Sequence, residues 1–211
     1  MKTPAKAIRA VSEFCDEHLN EKSSCYKALS GALQKDYGLT PAMTQKFIRH
    51  NLNSVRTLLK TKAFQNRVRS RSLKWTKIIV ASSNVPEPLL CAFLSAVLTQ
   101  SDTFIKFSVH TKRFSGYLNR YFMKNHPDLI RNIRTDFRYQ SLRKYSADAL
   151  EAVLFGEDST IERIRSAMPE DVSLTENGSR ISFGVMNFKN AGKSALKKQA
   201  IKAAEDIWDY D

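Results

Sequence analysis

The sequence predicts an α/β fold, a mostly parallel sheet with helices on both faces, preceded by an N-terminal helical segment. Three observations carry the prediction. Ile78-Ile79-Val80 is a β-branched run without charge, the composition of a strand buried on both faces. It is followed by a polar turn at Ser82–Asn84, by Pro86 and Pro88, and then by a helical stripe of Leu89, Leu90, Phe93, Leu94, Val97 and Leu98. From residue 77 onward such strand-like and helix-like stretches alternate, as they do in βαβ units.

Residues 1–74 read as the helical segment. Ser23 or Ser24 can cap a helix carrying Tyr26, Leu29, Leu33 and Tyr37 on one face, and Gly38 is placed to stop it. Thr40-Pro41 is a cap followed by proline at the first helical position. The helix it opens shows Met43, Phe47, Ile48, Leu52, Val55 and Leu59 at helical spacing. Arg67–Arg71 is a basic run, read as a solvated connector ahead of the sheet.

Residues 75–211 read as the α/β domain. Thr103–Phe107 is a second strand, and Phe114, Tyr117, Leu118, Tyr121 and Phe122 mark the buried face of a helix. Arg134–Tyr139 is read as a third strand and Ala152–Phe155 as a fourth, ending at Gly156. Ser159-Thr-Ile-Glu162 has capping-box spacing, which predicts a helix opened by Ser159 with Ile161, Ile164 and Met168 inward. Val172–Leu174 and Ile181–Met186 supply two further strands, and a helix over Lys193–Trp208 closes the chain.

The 211 residues hold 42% hydrophobic and 26% charged side chains, ordinary for a globular protein. No apolar run approaches the length of a membrane span. The three cysteines, Cys15, Cys25 and Cys91, lack metal-type spacing and suit a reduced, cytoplasmic compartment. The net charge of +13 favours polyanionic partners, whether nucleic acid, an acidic membrane surface or a phosphate-rich ligand. No G-x-G-x-x-G, G-x-x-x-x-G-K-[ST] or H-E-x-x-H occurs, so the common phosphate-loop and zinc signatures are absent.

Four polar stretches follow strands: Ser82–Asn84, Lys106–Ser108, Gly156–Ser159 and Glu176–Arg180. Each alone is an ordinary turn. In a parallel sheet, however, such stretches converge on one edge and can share a cleft. Their pattern reaches as far as a nucleotide or cofactor binder.

Four motifs in these stretches carry a resemblance. They are I-V-A-S-S-N-V-P at Ile79–Pro86, I-K-F-S at Ile105–Ser108, L-F-G-E-D-S-T-I at Leu154–Ile161 and E-N-G-S-R-I-S-F-G-V at Glu176–Val185. With them, residues 75–211 resemble the Rossmann-like cofactor-binding portion of the aldehyde dehydrogenase superfamily. The closest resemblance is to acyl-CoA reductases of the bacterial bioluminescence (fatty acid reductase) type. The resemblance implies that Asn84 donates to an oxyanion, with Ser82 among the cofactor contacts in the same loop. It implies that Lys106 and Ser108 grip the adenosine ribose of NADPH or NADH, although Phe107 replaces the family's proline. Gly156 would allow close backbone approach, and Ser159 would hold a pyrophosphate at a helix N-terminus. Glu176 falls where the dehydrogenases keep a general base, a job without a hydrolytic water to activate in an acyl-CoA reductase.

In this family a nucleophilic cysteine follows a segment like A-A-E-D-I-W-D-Y-D, which here is residues 203–211. Cys91 is expected on a buried helix as core packing. The expectation is therefore a fragment, split-gene product or degenerate relative, binding NADPH or NADH but inactive alone. Its partners would be acyl-CoA or another acyl thioester and a homo-oligomeric or companion chain carrying the thiolate, with no metal and no membrane span. Two alternatives stand beside this: a basic nucleic-acid-binding α/β protein, and a non-catalytic remnant or subunit. The first draws on aromatic–basic mixing in Lys112–Lys124 and Arg131–Arg143. It is opposed by Tyr117, Tyr121 and Phe122 lying on the face that needs burial.

Overall fold

The uncharged run at 78–80 becomes the middle strand of a five-stranded sheet. The computed structural model describes residues 4–70 and 76–178, with Ser194, Lys197 and Lys198. The chain divides into two compact units, Met1–Gly178 and Ser179–Asp211. In the second, the three described residues are helical.

The first unit opens with four helices, α1 (Pro4–Leu19), α2 (Ser24–Tyr37), α3 (Pro41–Lys60) and α4 (Lys62–Ser70). Alternation follows: β1 (Thr76–Val80), α5 (Glu87–Thr99), β2 (Asp102–Lys106), α6 (Lys112–Asn125), β3 (Ile133–Asp136), α7 (Tyr139–Ser146), β4 (Glu151–Phe155), α8 (Asp158–Arg165) and β5 (Ser173–Asn177). The strand order is β3-β2-β1-β4-β5, and every pairing is parallel.

The period-2 alternation of strands separates two cores. Ile79, Ala81, Ile105 and Phe107 face one side, where they join Phe93 of α5, Phe122 of α6 and Phe14 of α1. Ile78, Val80, Phe104, Ala152 and Leu154 face the other, under Leu142 of α7 and Ile161 and Ile164 of α8. The N-terminal helices thus share a core with one face of the sheet. The caps form as the residue types require. The Ser23 hydroxyl accepts from Tyr26 N–H and the Thr40 hydroxyl from Met43 N–H. Gly38 closes α2 at φ 67°, a left-handed conformation that favours glycine.

Several expectations are corrected. Arg134–Tyr139 is not one strand. Asp136 ends β3 by accepting the N–H groups of Phe137 (2.7 Å) and Arg138 (3.2 Å), and α7 begins at Tyr139. The run at 67–71 is not simply a connector, because α4 extends through Ser70 and buries Val68. Ser159 does not open α8: Glu157 is the N-cap, and Ser159 lies exposed within the first turn. Cys91 is not core, since it lies on the exposed side of α5 while its neighbours on either side are buried. The expected strand at Ile181–Met186 and most of the helix at Lys193–Trp208 lie outside the described residues.

Candidate functional site

The strand order places a topological switch at β1. The chain passes from β1 outward to β2 and β3, then returns to β4 on the other side of β1. The turns after β1 and β4 therefore diverge and leave a crevice at the carboxyl ends of the strands, where ligands of open α/β sheets bind. The ladder sets Val80 opposite both Lys106 and Leu154, so the turns carrying Ser82–Asn84, Lys106–Ser108 and Gly156–Ser159 lie along one edge. Ala81 N–H donates to the Lys106 carbonyl at 2.9 Å, which fixes the start of the first turn.

Within that turn Ser83 and Asn84 are exposed and Pro86 is buried as the N-cap of α5. The Ser82 hydroxyl is buried with no hydrogen-bond partner among the described residues. Orphaned buried polar groups are costly, so one at a strand tip marks a place where a ligand atom is wanted. Lys106 is half-buried at the end of β2, and burial, followed by the charge of Arg163, lowers its pKa. Ser108 is half-buried, and its hydroxyl accepts from His110 N–H at 3.3 Å, capping a short 3-10 turn. Gly156 follows β4, with its N–H donating to the Asn177 carbonyl at 3.3 Å. A Cβ there would meet Thr160 at 3.7 Å, an ordinary contact, so packing within the protein does not demand this glycine.

Glu176 sits differently. It lies within β5, an edge strand, rather than in a loop, and both its carboxylate oxygens accept from the Arg165 guanidinium. This pairing holds its pKa below the ordinary carboxylate value, the opposite of what a general base near neutrality needs.

The thiols are also placed away from the crevice, on α1, α2 and α5. Burial pushes the Cys15 thiol up to about 12. Cys91, though exposed, lines an apolar groove with Phe64, Val68 and Leu94, and desolvation of its thiol pushes it up to about 11. Cys25 is raised by burial and by its hydrogen bond to Glu17. All three remain protonated at neutral pH and are poor nucleophiles.

Two groups near the strand tips escape linear reading. Asp136 is saturated by Arg138, Ser141 and two backbone N–H groups. Arg163 of α8 rests over the Tyr139 ring of α7, 5.2 Å from its centroid. Neither stands in a motif; the sheet order alone brings α7 and α8 together. The surface grooves on α3 (Gln45, Arg49, His50) and between α3, α4 and α5 lie away from the crevice. Tyr121 and Phe122 are buried and Tyr117 is half-buried with its hydroxyl engaged, so the α6 aromatics offer no stacking platform for bases. Among the described residues no helix is long and apolar enough to cross a membrane. No cluster of three or more potential metal ligands occurs among them.

A family model described as acyl-CoA reductase (LuxC) matches residues 17–211. No curated protein matches the chain. Solved structures do. A succinic semialdehyde dehydrogenase from Streptococcus pyogenes, in complex with NADP+, aligns with TM-score 0.64 at 10% identity, over 84% of this chain and 42% of its own. An NAD-dependent benzaldehyde dehydrogenase from Corynebacterium glutamicum aligns with TM-score 0.66 at 14% identity, over 84% and 42%. A gamma-glutamyl phosphate reductase from Thermotoga maritima gives TM-score 0.58 at 12% identity, over 84% and 49%. The chain thus spans less than half the length of each, and at these identities the likeness establishes the aldehyde-dehydrogenase-type Rossmann-like fold. With the family model extending over all but the first 16 residues, the chain belongs to the acyl-CoA reductase (LuxC) family.

Proposed function

We propose that this chain provides the nicotinamide-cofactor-binding part of an acyl-CoA reductase, which converts an acyl thioester to an aldehyde through a cysteine acyl-enzyme. The observation that carries this reading is the turn after β1. It stands at the switch point of the sheet, with a buried, unpartnered Ser82 hydroxyl and an exposed Asn84 amide. The residues present fit a dinucleotide: an orphaned hydroxyl, a half-buried Lys106 without an ion pair among the described residues, and the first turn of α8 beside Gly156.

In this reading Lys106 and Ser108 hold the adenosine ribose, and Gly156 and Ser159 lie against the pyrophosphate. The bound cofactor supplies the hydride. Asn84 presents a side-chain amide to the thioester carbonyl oxygen as it gains charge, and a preorganised donor of this kind contributes roughly 3 kcal/mol to transition-state stabilisation. Glu176, paired to Arg165, has no part in the chemistry. None of the three cysteines serves as the thiolate in this reading, since each stands off the crevice and keeps its proton.

The test is direct. NADPH or NADH titrated into the purified chain is expected to bind saturably, and Lys106→Ala to weaken that binding by about tenfold. Acyl-CoA added with NADPH is expected to give no aldehyde. Aldehyde formed by the purified chain would overturn the reading that none of its three cysteines serves as the thiolate. No nucleotide binding at all would overturn the cofactor site.

A further inference from the structure

The positive charge of the chain is spread unevenly. Between Tyr37 and Pro86 there are ten Lys or Arg residues and no Asp or Glu, against a net charge of +13 for the whole chain. Helices α3 and α4 lie inside this acid-free stretch, and neither carries a carboxylate side chain. Two of their cations are met by acids from elsewhere in the chain, Arg49 by Glu21 at 2.6 Å and Arg56 by Asp16 at 3.3 Å. Lys46, Lys60, Lys62 and Arg67 are exposed on the same two helices. A field of one sign such as this draws polyanions. The shape beside the cations selects among them. Leu58, half exposed on the last turn of α3, lines both surface grooves of this region. On one side it borders the polar groove of Gln45, Arg49 and His50. On the other it opens the apolar groove of Phe64, Val68, Leu94 and Leu98, with Arg67 also in the lining. Neither Phe47 of α3 nor Phe64 of α4 is exposed, so the face offers bases no phenylalanine ring to stack on.

We propose that the α3–α4 face docks reversibly on an anionic lipid bilayer. Lys60 and Lys62 flank the junction of the two helices, two and four residues beyond Leu58, and meet the headgroup phosphates. Leu58 and the apolar groove turn towards the acyl region, while the long lysine stems lie along the boundary. An amphiphile answers both halves of the surface at once, since its phosphate takes the cations and its chain takes the groove. A nucleic acid would answer the charge alone. The docking face lies away from the crevice at the strand tips, so the proposal stands or falls independently of the cofactor reading.

Flotation of the full chain with phosphatidylcholine vesicles, plain or carrying about 30% phosphatidylglycerol, tests the proposal. Association with the anionic vesicles is expected to be about tenfold or more stronger than with the plain ones. It is expected to fall as salt is raised from about 50 to about 300 mM. Lys60→Gln combined with Lys62→Gln is expected to weaken it by about tenfold, and Leu58→Glu by a similar factor. Arg143→Gln combined with Lys144→Gln removes the same charge from α7 and is expected to change it by less than about twofold. All five side chains are exposed, so melting temperatures are expected to stay within about 2 °C of wild type. Bound anionic vesicles are expected to shield Cys91, the exposed thiol of the groove, from a water-soluble maleimide. Equal binding to the two kinds of vesicle, equal losses in the α3–α4 and α7 pairs, or undiminished labelling of Cys91 on bound vesicles overturns the proposal. Tighter retention on a duplex oligonucleotide at the same salt overturns it in favour of nucleic acid. A dimer that Leu58→Glu breaks, with no vesicle binding, overturns it in favour of a second copy of the chain.

Discussion

Phe122→Ala is expected to destabilise the chain by about 3–5 kcal/mol, the range for removing a large aromatic side chain from a packed core. For a chain of this size that corresponds to a fall in melting temperature of roughly 6–20 °C. Phe122 is fully buried on α6, and its ring meets Phe14 of α1 at 5.4 Å and Phe93 of α5 at 5.6 Å between centroids. Deleting it removes a contact shared by the N-terminal helices, the first crossover helix and the second. The cavity cannot close easily because each neighbour is held by its own helix. Thermal unfolding followed by circular dichroism measures the effect. A change below about 1 kcal/mol would show that the N-terminal helices do not share this core.

The second large effect is a pH dependence centred on His18. This side chain is fully buried on α1, with Nδ1 2.6 Å from the Phe14 carbonyl and Nε2 2.5 Å from the Tyr117 hydroxyl. In the neutral ring Nδ1–H donates to the Phe14 carbonyl and Nε2 is an acceptor, which shares the single Tyr117 hydroxyl proton with the Cys25 carbonyl 3.0 Å from that hydroxyl. Burial lowers its pKa from 6.5 to about 4, against the opposing pull of the Phe14 carbonyl and the Glu17 carboxylate. Because the folded value lies below the unfolded one, the unfolded chain binds more protons between these limits. Stability is therefore fully present above about pH 6.5 and is lost as the pH falls towards 4, by about 3 kcal/mol in all. Asp136 is also depressed, but its contribution is lost only below the ordinary carboxylate range, so the two windows separate. A series of urea unfolding curves between pH 7 and 4 measures the slope. His18→Gln is expected to be less stable at pH 7 and to show a flatter profile. A wild-type profile that stays level between pH 6.5 and 4 would contradict the buried neutral histidine.

Elements whose local chemistry agrees with their environment were legible from the chain alone. The Ser23, Gly38 and Thr40-Pro41 signals mark the ends of α2 and α3 because caps depend on a few adjacent residues. Strand β1 and helix α5 announce themselves because, apart from Lys77 and Glu87 near their starts, both are free of charge. Helix α7 was hidden. It spans two turns and buries only Leu142 and Ser146, too short a stripe to outweigh the extended look of Arg134–Tyr139. The mistaken cap at Ser159 shows that a capping-box spacing has no force when a residue just upstream, here Glu157, takes the extended conformation first. Cys91 was misplaced because α5 is apolar nearly all round, and sequence does not tell which side of such a helix stays uncovered.

The candidate site divides in the same way. Ser82, Asn84, Lys106, Ser108 and Gly156 lie at or just after strand ends, which a parallel sheet gathers on one edge, while the roles proposed for them come from the resemblance of their motifs. Glu176 follows the same rule in sequence but falls inside β5, where Arg165 from the preceding helix claims it. Arg163 and the saturation of Asp136 were out of reach. They depend on α7 and α8 lying side by side, which follows from the order β3-β2-β1-β4-β5 and not from any spacing along the chain.

The crevice at the carboxyl ends of β1, β2 and β4 is the centre of this account. Hydrogen–deuterium exchange of the full chain with and without NADPH tests it most directly. Protection is expected in the segments covering Ala81–Asn84, Lys106–Ser108 and Gly156–Ser159, with the α3 surface and the groove between α3, α4 and α5 unchanged. Protection confined to those helical surfaces, or none in the three strand-tip segments at saturating NADPH, would contradict it.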